Sequence, residues 1–111
     1  MENVVGAEST HLLVARCPEG SGPIVGSVAL VFYRVTTGLH ARIEDLIVSK
    51  DIRRQGIGNA LMVRALEIAK YANANVVDLT SNPLRIEANS LYKTLGFKKR
   101  RTNVYRYILN D

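Results

Sequence analysis

The chain has few of the residues that crosslink or anchor small proteins. Its 111 residues include one cysteine and two histidines. A single cysteine excludes an intrachain disulfide and is typical of a reducing compartment, and so few scattered histidines and cysteines cannot assemble a zinc site. The longest apolar run, VGSVALVFY, is too short to cross a bilayer, and the first ten residues lack the features of a secretory signal. We therefore expect a soluble, cytoplasmic protein without a metal ion or a membrane partner.

The residues that are present indicate one folded domain spanning residues 1–111. A chain of this length with 47% hydrophobic residues can build a core without crosslinks. The formal charge of +5 favours anionic partners. The basic run from Lys98 to Arg101 has no interleaved aromatic residues, so we interpret it as a solvated strand or turn and do not expect nucleic acid as a partner.

The hydrophobic pattern predicts an α/β (α+β) fold with a mixed sheet. An antiparallel meander is followed by a parallel β-α-β unit, a second helix and a C-terminal strand. Two adjacent acids, Glu44 and Asp45, break the alternation of the third strand and predict a β-bulge or a bend. Strands are predicted at His11–Arg16, Ile24–Val35, Leu39–Val48, Asn75–Thr80 and Asn103–Leu109, with helices at Gly58–Ala72 and from Ile86 to a C′ cap at Gly96.

The segment RRQGIG stands where the third strand gives way to the first helix. Each glycine at a helix start costs roughly 0.5–1 kcal/mol relative to alanine. The first amides of a helix have no intrahelical acceptors, so small residues beside Arg53 and Arg54 would suit a pyrophosphate. Taken alone, the pattern predicts a tight turn or a phosphate cradle with equal force.

Two motifs together resemble the GNAT superfamily of N-acetyltransferases. The segment IEDLIVSKDIRRQGIGNAL is similar to the family's strand and (R/Q)-x-x-G-x-(G/A) loop, with Arg53, Gly56 and Gly58 at its fixed positions. The segment EANSLYKTLGF is similar to the family's second signature, and Ala88, Leu91, Tyr92, Gly96 and Phe97 fill it. The resemblance covers residues 24–109, and it implies acetyl-CoA as the cofactor.

The resemblance also implies which residues bind acetyl-CoA. Backbone groups of the third strand would pair with the pantetheine arm, and the loop and the first amides of the helix would hold the pyrophosphate. Many family members have an asparagine where this chain has Arg85, so Arg85 is a candidate contact, and Asn82 or Asn89 could supply an amide instead. The implied cofactor-binding set is Leu46, Ile47, Val48, Arg53, Arg54, Gln55, Gly56, Ile57, Gly58, Asn59, Arg85 and Asn89.

Two residues are candidates for proton transfer. Tyr92 matches the family's general acid, because a phenol can protonate a departing thiolate without being ionised itself near pH 7; the alternative is a packing role in an amphipathic helix. Glu44 is the candidate base, since it lies on the polar face of the strand that borders the cleft. Asp45 or a water molecule is the alternative base, and Glu44 could instead be an exposed acid paired with Arg42 or with a cation on a neighbouring strand.

The resemblance leads to a function and to a prediction about assembly. We expect an acetyl-CoA-dependent N-acetyltransferase that transfers acetyl directly to an amine; the alternative is a noncatalytic CoA-binding or interaction module. The family normally begins with a strand and two helices that wall the acceptor site, and only ten residues precede His11. The run Ile24–Tyr33 is apolar on both faces and predicts burial on both. We therefore expect a homodimer, joined through the first strands or the exposed sheet face.

Overall fold

The computed structural model describes residues 9–18, 20–50 and 56–110. These residues form four strands and two helices. In chain order the elements are β1 (Ser9–Arg16), β2 (Ile24–Val35), β3 (Gly38–Val48), α1 (Ile57–Tyr71), β4 (Val76–Asp78) and α2 (Ile86–Thr94).

The sheet has the order β1-β2-β3-β4. The first three strands pair antiparallel, and β4 pairs parallel with β3 after the crossover through α1. A parallel pair needs such a crossover because the chain must return to the same end of the sheet. The predicted α/β class, with a meander followed by a parallel β-α-β unit, is confirmed.

One face of the sheet carries the core. Val28, Leu30 and Phe32 alternate along β2 on that face and are at most 5% exposed, and α1 packs against it with Leu61 and Met62. The opposite face of β2 is only half-buried. The prediction that the apolar run is buried on both faces is therefore wrong for the single chain, because the two described helices leave that second face uncovered.

The predicted β-bulge is present in β3. The register passes from Ser27↔Ile47 to Ala29↔Glu44, so that β3 has one more residue than β2 over this step. Asp45 takes a φ of 54° within the bulge, a left-handed conformation in which Asp is one of the more tolerated residues. The two adjacent acids thus mark a real irregularity in the strand.

Other element boundaries differ from the predictions. Strand β1 begins two residues early at Ser9, and β4 is shorter than the predicted Asn75–Thr80 because the chain leaves the sheet after Asp78. Gly96 has a φ of 103° just beyond α2, in agreement with the predicted cap. The predicted C-terminal strand Asn103–Leu109 is wrong: the described residues 98–110 form no strand and are exposed.

Candidate active site

A cleft opens between β3 and β4 where the two strands stop pairing. The last paired residues are Arg42 and Asp78, and β3 continues to Val48 while β4 ends. From Ile43 to Ile47, β3 has no strand beside it on the β4 side in the described part of the chain. Backbone amides and carbonyls that lack a ladder partner at such an edge can pair with an extended ligand.

This cleft contains a cavity of about 310 Å³. The cavity gathers five of the residues that the sequence singled out as site residues, together with the alternative base Asp45. Its lining consists of Ile43, Glu44, Asp45, Leu46, Ile47, Leu79, Thr80, Arg85 and Tyr92.

Tyr92 combines burial with access to the cavity. It is 8% exposed and belongs to the hydrophobic core. Its ring contacts Phe97 edge to face, with 6.0 Å between the ring centroids. Both alternatives for Tyr92 therefore have support, because the ring packs in the core while the residue also lines the cavity.

Glu44 lines the cavity and is also ion-paired. Nε of Arg42 donates a hydrogen bond to Oε2 of Glu44 over 3.0 Å. Nη2 of Arg42 donates to Oγ1 of Thr80, on the far wall of the cleft, over 3.4 Å. The sequence suggested the Arg42–Glu44 pair as an alternative to a catalytic role, but it did not single out Thr80.

The start of α1 presents backbone amides that come before the first intrahelical hydrogen bond. The amide of Ala60 donates to the carbonyl of Gly56 over 2.9 Å, so the amides of residues 56–59 precede the first intrahelical bond. Gly56 is the N-cap with a φ of 78°; it has no side-chain capping bond, and the first turn contains no acid. A Cβ at Gly56 would meet nothing within 4 Å. Arg53, Arg54 and Gln55 lie outside the described residues.

Asn82 and Asn89 order the loop between β4 and α2. Oδ1 of Asn82 accepts a bond from the amide of Leu84 over 2.8 Å, and Nδ2 of Asn89 donates to the carbonyl of Asn82 over 3.0 Å. Neither residue lines the cavity, so their observed contacts hold the loop that presents Arg85. The neighbouring Ser81 was not singled out, and its buried Oγ has no hydrogen-bond partner in the described structure.

No group of three potential metal ligands comes together within the described residues. Within the same ranges, neither helix has the length and apolar character needed to span a bilayer.

Comparison with known proteins gives consistent matches. The family described as "Acetyltransferase (GNAT) domain" matches residues 8–99. The chain is 28% identical over 102 residues to N-acetyltransferase family 8 member 3 of Rattus norvegicus, which covers 90% of the chain and 45% of that protein. It is 30% identical over 92 residues to the thialysine N-epsilon-acetyltransferase of Sus scrofa, covering 78% of the chain and 54% of that protein.

A solved structure extends these matches to the fold. An acetyltransferase of Trypanosoma brucei superposes with a TM-score of 0.72 and 26% identity, over 92% of this chain and 70% of the other. The chain spans only about half the length of the two curated relatives described above.

Proposed function

The chain belongs to the GNAT family of acetyltransferases, and from this membership we propose that it is an acetyl-CoA-dependent N-acetyltransferase that transfers acetyl directly to an amine. The observation that carries this proposal is the cavity at the β3–β4 cleft, which both Glu44 and Tyr92 line beside an open strand edge. The single cysteine supports a cytoplasmic location. Both that location and a single cofactor-binding domain over residues 1–111 stay predictions.

The described residues fit acetyl-CoA at two places. The uncapped start of α1 presents the amides of residues 56–59, and the empty space at Gly56 lets an anion approach them closely. The open edge of β3 at Leu46 and Ile47 can pair with an extended pantetheine arm. When bound, acetyl-CoA supplies a thioester that an amine can attack. Arg85, in the lining of the cavity, adds a positive charge for a phosphate or a carbonyl oxygen.

Glu44 is the proposed base. An amine that is protonated at neutral pH has no lone pair for attack, so a group in the cavity must first take up its proton. Oε2 of Glu44 is held by Arg42, and Oε1 remains as the second acceptor of the carboxylate. Asp45 lines the same cavity and is the alternative base.

Tyr92 is the proposed acid. Its ring is locked by the core and by Phe97, so little side-chain freedom is lost when its hydroxyl donates a proton to a leaving thiolate. In this step the phenol O–H bond breaks and the proton moves to the sulfur of the leaving thiolate.

A noncatalytic CoA-binding or interaction module is the second candidate function. The Arg42–Glu44 ion pair favours it, because it gives Glu44 a structural partner. A single-turnover assay with stoichiometric acetyl-CoA distinguishes the two functions, since a binding module would protect the thioester without acetylating an amine.

A tyrosine pair provides the sharpest test of the proposed chemistry. We expect Tyr92→Phe to lower the rate by about 10²–10⁴-fold, as the loss of a general acid does, with little change in acetyl-CoA affinity. Tyr71→Phe is the matched control, because it removes the same hydroxyl group at a position away from the cavity. Tyr71 lies at the end of α1 and is 90% exposed. Equal rates for Tyr92→Phe and Tyr71→Phe would assign Tyr92 to packing.

The relatives suggest the first acceptors to assay. One relative is named for thialysine and another, from Salmonella typhimurium, for aminoalkylphosphonates. Both names describe small molecules that carry a primary amine, and Arg85 offers a cation for a carboxylate or a phosphonate. We propose a panel of such amines, with release of the CoA thiol as the readout. If none of these amines releases thiol above the rate of hydrolysis, this class of acceptor is wrong.

We also propose that the chain forms a homodimer. Val14, Ser27 and Ile47 align across β1, β2 and β3 on the face away from α1, and Val14 and Ile47 are exposed. Leu12 extends the same apolar surface and is 68% exposed. A second copy would cover this surface, and a stable dimer should bury at least about 1,000 Å².

The assembly can be tested by light scattering at micromolar concentration. We expect twice the chain mass of 12.3 kDa, and a Leu12→Glu variant should halve it because a charge then faces the proposed interface. Tyr71→Glu is the control, because Tyr71 is 90% exposed at the end of α1, which packs on the opposite face of the sheet. A wild-type mass of 12.3 kDa would refute the dimer.

A further inference from the structure

Arg42 lies where β3 and β4 separate, and its side chain connects the two walls of the cavity. It is the last residue of β3 that pairs with β4, and it does not itself line the cavity. Its guanidinium bonds Glu44 on one wall and Thr80 on the other, over 3.0 and 3.4 Å. Glu44 and Thr80 both line the cavity. Arg42 therefore holds one side chain on each wall, although it lies outside the lining itself.

The geometry points to Arg42 as a positioning residue for proton transfer, an assignment that rests on the proposed role of Glu44 as base. Residues two apart on a strand project from the same face, which brings Arg42 alongside Glu44. A half-exposed glutamate otherwise samples many rotamers. With Oε2 fixed by Arg42, Oε1 is the oxygen that receives the proton. The N–H bond of the bound ammonium breaks, its electron pair stays on nitrogen, and the proton moves to Oε1.

Stability alone does not account for this arrangement. The side chains of Arg42 and Glu44 are 33% and 41% exposed, and ion pairs at such exposure contribute little to folding. The chain contains a comparison pair on α1, where Nη1 of Arg64 lies 3.3 Å from Oε1 of Glu67 with exposures of 65% and 60%. That pair has no third partner in the described structure and does not line the cavity of the cleft, so Arg64 provides a matched control.

The test compares Arg42→Met with Arg64→Met under multiple turnover, with acetyl-CoA varied at one fixed concentration of a primary amine. We expect Arg42→Met to lower kcat by about 3–10-fold, because Glu44 then spreads over several staggered rotamers, while the KM for acetyl-CoA stays unchanged. Arg64→Met should leave kcat at the wild-type value. Arg42→Lys should give an intermediate rate, since an ammonium can contact Glu44 but lacks the fork that also reaches Thr80.

A double-mutant cycle shows whether Arg42 acts through Glu44. In a Glu44→Gln background, Arg42→Met should cost nothing further. If the rate losses of the two single substitutions multiply in the double variant, Arg42 acts independently of Glu44, and the proposal is overturned. If Glu44→Gln lowers kcat and Arg42→Met does not, only the positioning role fails. If Glu44→Gln keeps the wild-type rate, the proposed base fails as well.

A crystal structure of the Arg42→Met variant gives a readout that does not depend on turnover or on the identity of the acceptor. We expect the Glu44 carboxylate to occupy more than one rotamer in this variant and a single rotamer in Arg64→Met. One unchanged Glu44 rotamer in Arg42→Met would overturn the proposal even if the rate fell.

Discussion

Gly56 provides the most direct test of acetyl-CoA binding. Gly56 has a φ of 78°, and a residue with a side chain in this conformation lowers the free energy of unfolding by about 1 kcal/mol. This loss corresponds to a fall in Tm of about 4–8 °C for a domain near this size. A glutamate at this position would also place bulk and negative charge over the first amides of α1. We therefore expect Gly56→Glu to remain folded with a modestly lower Tm and to lose acetyl-CoA binding.

The size of the ligand effect makes a thermal-shift assay sufficient. A ligand present at a hundred times its Kd stabilises the native state by about 2.7 kcal/mol, which should raise the Tm of the wild type by about 10–20 °C. Gly56→Glu should show no rise. Gly96→Glu is the control, because Gly96 also has a positive φ, of 103°, and open space around a Cβ; its apo Tm should fall similarly while the ligand-induced rise persists.

Two results would refute this reasoning. If the wild type shows no rise in Tm at millimolar acetyl-CoA, the proposed cofactor is wrong. If Gly56→Glu keeps the full rise, acetyl-CoA binds elsewhere on the chain and the start of α1 is only a tight turn.

Two stability predictions follow from burial and backbone conformation, and urea unfolding measures both. Leu30→Ala should destabilise the fold by about 2–5 kcal/mol because Leu30 is fully buried, whereas exposed Leu84→Ala should stay within about 0.5 kcal/mol; equal effects would contradict the assigned core. Asp45→Gly should preserve or raise stability by up to about 1 kcal/mol, and Asp45→Val should lower it by about 1–3 kcal/mol, because a β-branched residue resists a φ of 54°. Equal stability of these two variants would mean that the bulge is not rigid.

The sequence could predict the central strands because their pattern is local and strong. Alternating burial at Val28, Leu30 and Phe32 lies within the predicted bounds of β2, which were correct. The predicted C-terminal strand was wrong because high strand propensity does not determine whether a strand finds a partner. Val104, Tyr105 and Tyr107 have high strand propensity, yet all are more than 75% exposed. Strand formation requires a partner edge, and propensity says nothing about whether one is available.

The sequence predicted the cleft only in part, because some of its contacts depend on where neighbouring strands end. The motifs located Glu44, Arg85 and Tyr92, which line one cavity although Glu44 is far in sequence from the other two. The link from Arg42 to Thr80 could not be predicted, because it depends on β4 ending at Asp78. A longer β4 would carry Thr80 along the sheet beside β3, and no residue in the predicted strand Asn75–Thr80 signals the earlier end.

The bulge at Asp45 connects the stability of the core with the chemistry of the cleft. In a regular strand, Asp45 and Ile47 would face α1, because Ile43 does and side chains alternate. Burying an unpaired carboxylate there would cost several kcal/mol, whereas a left-handed aspartate costs about 1–3 kcal/mol. The bulge therefore costs less free energy than a regular strand would. With the bulge, Asp45 and Ile47 are exposed, and Leu46 packs against the core instead. The same inserted residue leaves Glu44 and Asp45 in the lining of one cavity, so the two carboxylates that the proposed reaction can use are a consequence of keeping an acid out of the core.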